Sequence, residues 1–218
     1  MDIDDQRASL CAAAHQLAAA GLATGTSGNL SVRVGDQVLI TPSDSRLKSL
    51  DPEQLVVVDL DGTVSVPTRY RPNSELHIHL GIYRTSSVAA VAHAHPASSV
   101  AVANIVDELP PIHYAAATLG GSVRVAPYAV FGSTELSEVI QVALYERTAA
   151  LMRNHGSVAV GGTIETACDN LELVEWLSDV YLRSVGGGTP AVLDGAALTE
   201  VVAAGARRHY TPFPGRNR

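Results

Sequence analysis

The residues able to do metal or proton chemistry fall in a few short stretches. In "AVAHAHP", His93 and His95 stand two apart in a run of small apolar residues of strand length. Side chains alternate across a strand, so both imidazoles project from one face, at the strand end where α/β sites tend to lie. His-x-His on a strand is a common way to offer two nitrogen ligands to zinc or a similar divalent ion. "LMRNHGSVAV" adds His155, placed between a helix and a strand and beside Gly156, whose backbone freedom lets the histidine aim at a site formed elsewhere. Three neutral histidines with an open fourth position make a catalytic zinc arrangement. "NSELHIHL" contributes an acid, Glu75, which supports two readings. It is either a helix N-terminal acid favoured by the dipole, or a carboxylate near the metal serving as ligand or general base. His77 and His79 are two apart on a helix and face different ways, so they read as core or surface histidines. His15 and His209 read likewise.

These residues need elements to hold them. Residues 4–20 are rich in Ala and Leu at helical spacing, and Gly21 stops them. "GNLSVRV" and "QVLITPS" predict two strands joined by a Gly35-Asp36 hairpin turn. "LVVVDLDGTVSV" predicts strand, Asp-Gly turn, strand. "SELHIHLGIYRTS" predicts a helix opened by Ser74, and "VAAVAHAH" the histidine-bearing strand. A helix follows with Pro96 near its first turn. "SVRVAPYAV" is a strand, "STELSEVIQVALYER" a helix with capping signals, and "GSVAVGG" a strand. A long amphipathic helix starts at Thr163, and a final one, "GAALTEVVAAGARRHY", precedes a Pro/Gly/Arg tail. No linker or repeat divides the chain, so residues 1–218 are expected to form one α/β domain, layered around a mostly antiparallel sheet, with 211–218 as a tail.

Composition narrows the function classes. The 218 residues are 46% hydrophobic, enough for a sizeable core, and carry a formal charge of −7. Such an acidic chain has no electrostatic reason to bind nucleic acid or a membrane surface, and an anionic substrate would need a local positive site. The two cysteines, Cys11 and Cys168, lie in helical patterns without CxxC spacing and read as reduced, buried thiols. The acidic start "MDIDDQRASL" does not read as a signal peptide, and no apolar run is long enough to span a bilayer. A cytoplasmic location is the expectation.

Taken together, "TSGNLSVR", "LITPS", "NSELHIH", "AHAHP", "PIHY", "YAVFGSTEL" and "NHG", in this order, resemble the class II aldolase/adducin-head family, and most of all its fuculose-phosphate type. That family is zinc-dependent and also contains 4-epimerases and dehydratases of sugar phosphates. The resemblance implies a three-layer α/β/α sandwich assembled as a homotetramer with sites at subunit interfaces. It implies that His93, His95 and His155 hold Zn2+ (or Mn2+ or Co2+), with Glu75 as fourth ligand and acid/base. It assigns Gly28, Asn29, Thr41, Ser43, Asp44, Asn73 and Ser74 to the phosphate end of the substrate. Tyr114 matches a proton donor that reaches a neighbouring subunit's site, Phe131 an aromatic lining the aldehyde pocket, and Tyr210 a C-terminal residue closing the site. The implied reaction is retro-aldol cleavage of a ketose 1-phosphate, such as fuculose 1-phosphate, to an aldehyde and dihydroxyacetone phosphate. The alternative is an epimerase, dehydratase or decarboxylase of the same fold, acting on a sugar phosphate or a keto acid. A non-catalytic adducin-like domain should have lost the metal ligands, which are all present here. One departure concerns Asp44, in "TPSDSRL", where the fuculose-phosphate type usually has glycine. A carboxylate repels a phosphate dianion by about 1 kcal/mol or more at short range. Either Asp44 points away, or the substrate's far end is not phosphate; Arg46 or Lys48 could offset the charge.

Overall fold

A computed structural model describes residues 3–207; Tyr210 and His209 lie outside the described residues. In chain order the elements are α1 (Ile3–Ala19), β1 (Asn29–Val34), β2 (Gln37–Ile40), β3 (Val56–Asp59), α2 (Leu76–Thr85), β4 (Ala90–Ala94), α3 (Ala97–Ala103), β5 (Glu108–Leu109), β6 (Val123–Ala126), α4 (Thr134–Leu144), β7 (Ala149–Met152), β8 (Gly156–Gly161), α5 (Ile164–Gly187) and α6 (Gly195–Arg207). Short 3-10 turns occur at Leu47–Ser49, Pro52–Gln54 and Tyr114–Leu119. The strands form one sheet in the order β3-β2-β1-β4-β8-β7-β6-β5, antiparallel throughout except for the parallel pair β6–β7.

The period-2 pattern splits the core into two layers. Leu30 and Val32 of β1, Ala90, Ala92 and Ala94 of β4, and Ala159 of β8 face one side, where they pack with α1, α3 and α5. Val91 of β4, Val158 and Val160 of β8, and Val38 and Ile40 of β2 face the other side, under α2 and α4. The result is the three-layer α/β/α sandwich. By the same alternation Asn29, Ser31 and His93 lie on the α2 side. The β1–β4 register sets Asn29 directly opposite His93.

Several local expectations change. The strand expected after the Asp-Gly turn shrinks to a single bridge, Val58 to Val64, at the β3 edge of the sheet. The helix expected from Ser74 starts at Leu76; the Asn73 side chain accepts the Glu75 N–H at 3.0 Å, so Asn73 and Ser74 form a turn leading into Glu75. His155 does not follow a helix. It sits in the turn joining β7 to β8, and β7, unannounced by its sequence "AALM", is a fully buried central strand. Propensity gives little warning of such a strand, since alanine is a better helix former and only burial between neighbours decides. Asn154 takes the left-handed turn position there, φ 55°, which asparagine tolerates. Gly156 serves packing instead: a Cβ there would overlap the Ala94 carbonyl and lie 2.9 Å from the His95 ring.

Cys11 and Cys168 are free and buried, and burial pushes their thiols up to about 11 and about 12. No helix among the described residues is long and apolar enough to cross a membrane.

Candidate metal centre and cleft

Four side chains converge where β4 ends. The Nε2 atoms of His93 and His95 are 2.9 Å apart. Glu75 Oε2 is 3.1 Å from His93 Nε2, and Oε1 is 3.0 Å from His155 Nε2. One donor atom from each of the four lies within 4.8 Å of every other. Three elements deliver them: the end of β4, the turn before β8, and the entry to α2.

The donors fit a divalent cation. His93 Nδ1 lies 2.9 Å from the Ser157 carbonyl, which can only accept, so this nitrogen carries a proton and, in the neutral ring that a metal requires, Nε2 presents its lone pair to the site. A neutral His93 then opposes that lone pair to the Glu75 carboxylate and to the His95 nitrogen. Glu75 Oε1 is buried and receives no hydrogen bond, since His155 Nε2 approaches it without hydrogen-bonding geometry. Lone pairs crowded around one point, with no proton donor for a buried carboxylate oxygen, call for a cation. Three nitrogens and one oxygen without a thiol suit zinc and its neighbours.

The electrostatics are those of a tightly packed charge cluster. Burial opposes ionisation of Glu75, but His93 and His155 together outweigh it and hold the carboxyl well below the usual carboxylate range. His93 is also penalised by burial, yet Glu75 draws its pKa up. His95 goes the other way: burial, then His93 and His155, lower it to about 4, which keeps its ring neutral and able to ligate.

The centre forms the floor of a cleft of about 730 Å³. Gly28, Asn29, Ser43, Asp44, Asn73, Ser74 and Phe131 all line it, together with Glu75, His95 and His155. Gly28 has φ +90°, and its open face lies against the His93 carbonyl. Ser43 donates to the Pro72 carbonyl at 2.8 Å, tying two rim loops together. Asp44 stands at φ 59°, the left-handed conformation that explains glycine as the usual residue there. Its carboxylate neither turns away nor meets Arg46 or Lys48. It pairs with Arg71 at 3.3 Å, and both side chains are more than four-fifths exposed. Arg71 is the one Lys or Arg among the described residues that line the cleft. Three expected residues do not line the cleft. His93 is fully buried beneath the floor. Thr41 is fully buried and its hydroxyl accepts the Leu30 N–H at 3.2 Å. Tyr114 is 60% exposed and packs against His113, away from the cleft lining.

The sequence reading missed Arg71, Tyr128, Asn154 and His79. His79 carried a usable signal: it lies four residues after Glu75, hence on the same face of α2. It is fully buried, with Nε2 2.5 Å from Asn29 Oδ1 and Nδ1 2.6 Å from Ser31 Oγ.

Residues 8–182 match the family described as the class II aldolase and adducin N-terminal domain. A 5-methylthioribulose-1-phosphate/5-deoxyribulose-1-phosphate aldolase of Rhodospirillum rubrum is 36% identical over 198 residues, 90% of this chain and 89% of that protein. An L-fuculose phosphate aldolase of Escherichia coli is 38% identical over 167 residues, 76% of this chain and 77% of that protein. The solved structure of an L-fuculose 1-phosphate aldolase superposes with a TM-score of 0.89 at 32% identity, covering 94% of this chain and 97% of that one.

Proposed function

The chain belongs to the class II aldolase and adducin N-terminal domain family, and on that premise we propose that it cleaves a ketose 1-phosphate by a metal-dependent retro-aldol reaction, releasing an aldehyde and dihydroxyacetone phosphate. It is an enzyme of the class II aldolase type, a lyase. The observation that carries the reaction is the convergence of Glu75, His93, His95 and His155 on the floor of an open cleft. The substrates named for the relatives make 5-deoxyribulose 1-phosphate, 5-methylthioribulose 1-phosphate and fuculose 1-phosphate the first candidates.

Zinc, or manganese or cobalt in its place, would be held by the three histidines and Glu75. When bound, the metal supplies Lewis-acid stabilisation for the negative charge that builds on substrate oxygen as the carbon–carbon bond breaks. Glu75 holds or moves a proton at its carboxylate, beside the reacting carbons. Gly28, Asn73 and Ser74 orient the phosphate with open backbone ahead of the α2 N-terminus, whose dipole favours an anion. Arg71 supplies the countercharge at that end and Asp44 holds Arg71 in place, which resolves the presence of a carboxylate near a phosphate. Phe131 at the mouth covers the aldehyde portion. Tyr114, exposed and away from its own chain's cleft, serves as proton donor in a neighbouring copy of a homotetramer, and Tyr210 closes the site.

An epimerase, dehydratase or decarboxylase acting on a non-phosphorylated keto acid is favoured by one observation, the Asp44 carboxylate at the rim; its pairing with Arg71 weighs against that reading. Elemental analysis of the purified protein and a panel of the three ketose 1-phosphates, their non-phosphorylated counterparts and non-phosphorylated keto acids decide. Stoichiometric divalent metal and release of dihydroxyacetone phosphate are expected. Cleavage of none of them, with a non-phosphorylated keto acid consumed instead, would replace the proposal.

A further inference from the structure

Behind the metal donors lies a buried polar chain that no step above uses. The Asn29 amide nitrogen is 2.9 Å from Glu75 Oε2 and 3.1 Å from Asn73 Oδ1. Asn73 Oδ1 is already the acceptor of the Glu75 N–H, and Glu75 Oε2 is a carboxylate oxygen. Both partners accept, so Asn29 must turn its NH2 toward them and its Oδ1 toward His79. His79 therefore donates from Nε2, at 2.5 Å. Its Nδ1 is left as acceptor for the Ser31 hydroxyl at 2.6 Å, and Ser31 Oγ accepts from the Tyr83 hydroxyl at 2.7 Å. Every proton in the series has one assignable place, and the series ends on Glu75. Burial also keeps His79 neutral, with its pKa lowered to about 3.

A satisfied polar core would need no such direction. Here the same amide that fixes Glu75 Oε2 is itself held at its oxygen by His79 and at its nitrogen by Asn73 Oδ1, while Glu75 Oε1 receives no hydrogen bond at all. We propose that His79 is a positioning residue: through Asn29 it holds the Glu75 carboxylate in the orientation that serves the metal and the proton transfer. Asn29 thus spends its side chain on Glu75, leaving only its backbone for substrate. The inference rests on the reading of Glu75 as ligand and acid/base, and it needs no change of protonation at His79.

Two near-isosteric substitutions cut the chain on opposite sides. His79→Gln keeps a donor where Nε2 was, facing Asn29, and loses the Ser31 contact. His79→Asn keeps a group where Nδ1 was, facing Ser31, and loses Asn29. Zinc affinity, read by chelator competition, and kcat are measured for both, alongside thermal melting. His79→Gln is expected to stay within about 3-fold of the natural protein in both. His79→Asn should lose about 10- to 100-fold in zinc affinity and in kcat, the range for outer partners of metal ligands, with KM little changed. Adding His79→Asn to Asn29→Ala should cost nothing beyond Asn29→Ala alone, because one acts through the other. Equal losses for Gln and Asn, a milder Asn, or additive losses in the double variant would overturn the proposal. Should His79→Asn fail to fold, Asn29→Ala alone must show the zinc-affinity loss, and its absence has the same force. The zinc ranking stands without any substrate, so failure of every ketose phosphate in the panel leaves this test intact.

Discussion

The floor and the mouth of the cleft are built in opposite ways. At the floor His93 is fully buried, its ring is pinned by the Ser157 carbonyl, and Glu75 is held from behind by Asn29. At the mouth Asp44 and Arg71 meet as an exposed pair on loops, and Phe131 is 70% exposed. A charge-bearing floor largely shielded from water needs a fixed geometry, because an unmatched lone pair there is costly. A solvated rim tolerates substitution cheaply, and exposed pairs contribute little to stability. On the proposed function, the chemistry belongs to the floor and the choice of substrate to the rim.

Substitutions at the floor should have the largest consequences. His155→Ala removes a nitrogen from the donor set and is expected to abolish stoichiometric metal and to lower kcat/KM by more than about 100-fold, beyond what loss of an outer partner does. Retained metal, shown by elemental analysis, would mean that the floor is less exacting than its burial suggests.

Acid should find the floor before the mouth. His79 is lowered to about 3 in the folded protein, against an ordinary value of 6.5. The folded chain then binds fewer protons than the unfolded one between these values, so His79 favours folding above pH 6.5 and loses that contribution as pH falls. The slope is about 1.4 kcal/mol per pH unit for one such group. Thermal melts of metal-free protein between pH 7 and 4.5 should fall more steeply for the natural chain than for His79→Gln; parallel curves would remove His79 from the account.

At the mouth, Arg71→Met is expected to raise KM for a ketose 1-phosphate by about 10-fold, the worth of one hydrogen bond to a charged group, with kcat nearly unchanged. A loss in kcat instead would tie the rim to the chemistry and erase the contrast. The smallest effect belongs to Asp44→Gly, which removes a rim carboxylate while keeping the left-handed backbone; KM for the phosphorylated substrate should shift by no more than about 5-fold.

Much of the floor was legible because its signals are local. His93 and His95 share a face by the period of a strand, and the donor types alone indicate a divalent metal. The β1–β2 hairpin was readable from Gly35-Asp36, as was α5 from its Thr163 cap, whose hydroxyl accepts the Thr166 N–H. What escaped depended on partners far along the chain. "AALM" forms β7 only because β6 and β8 flank it. His79, paired in the reading with His77, matters through Asn29, 50 residues away. Asp44 finds Arg71, 27 residues on, rather than the basic residues beside it.

By itself, then, the sequence determined the donor atoms, their face on the strand, and a mixed α/β chain with hairpin and capping signals, all consequences of short-range geometry. The tertiary structure alone decided that β1 lies beside β4 with Asn29 opposite His93, that α2 crosses that face to bring Glu75 over the histidines, and that the β7–β8 turn carries His155 to meet them. Strand register and helix docking are settled by burying two separate apolar layers at once, a condition on the whole chain that no local spacing expresses.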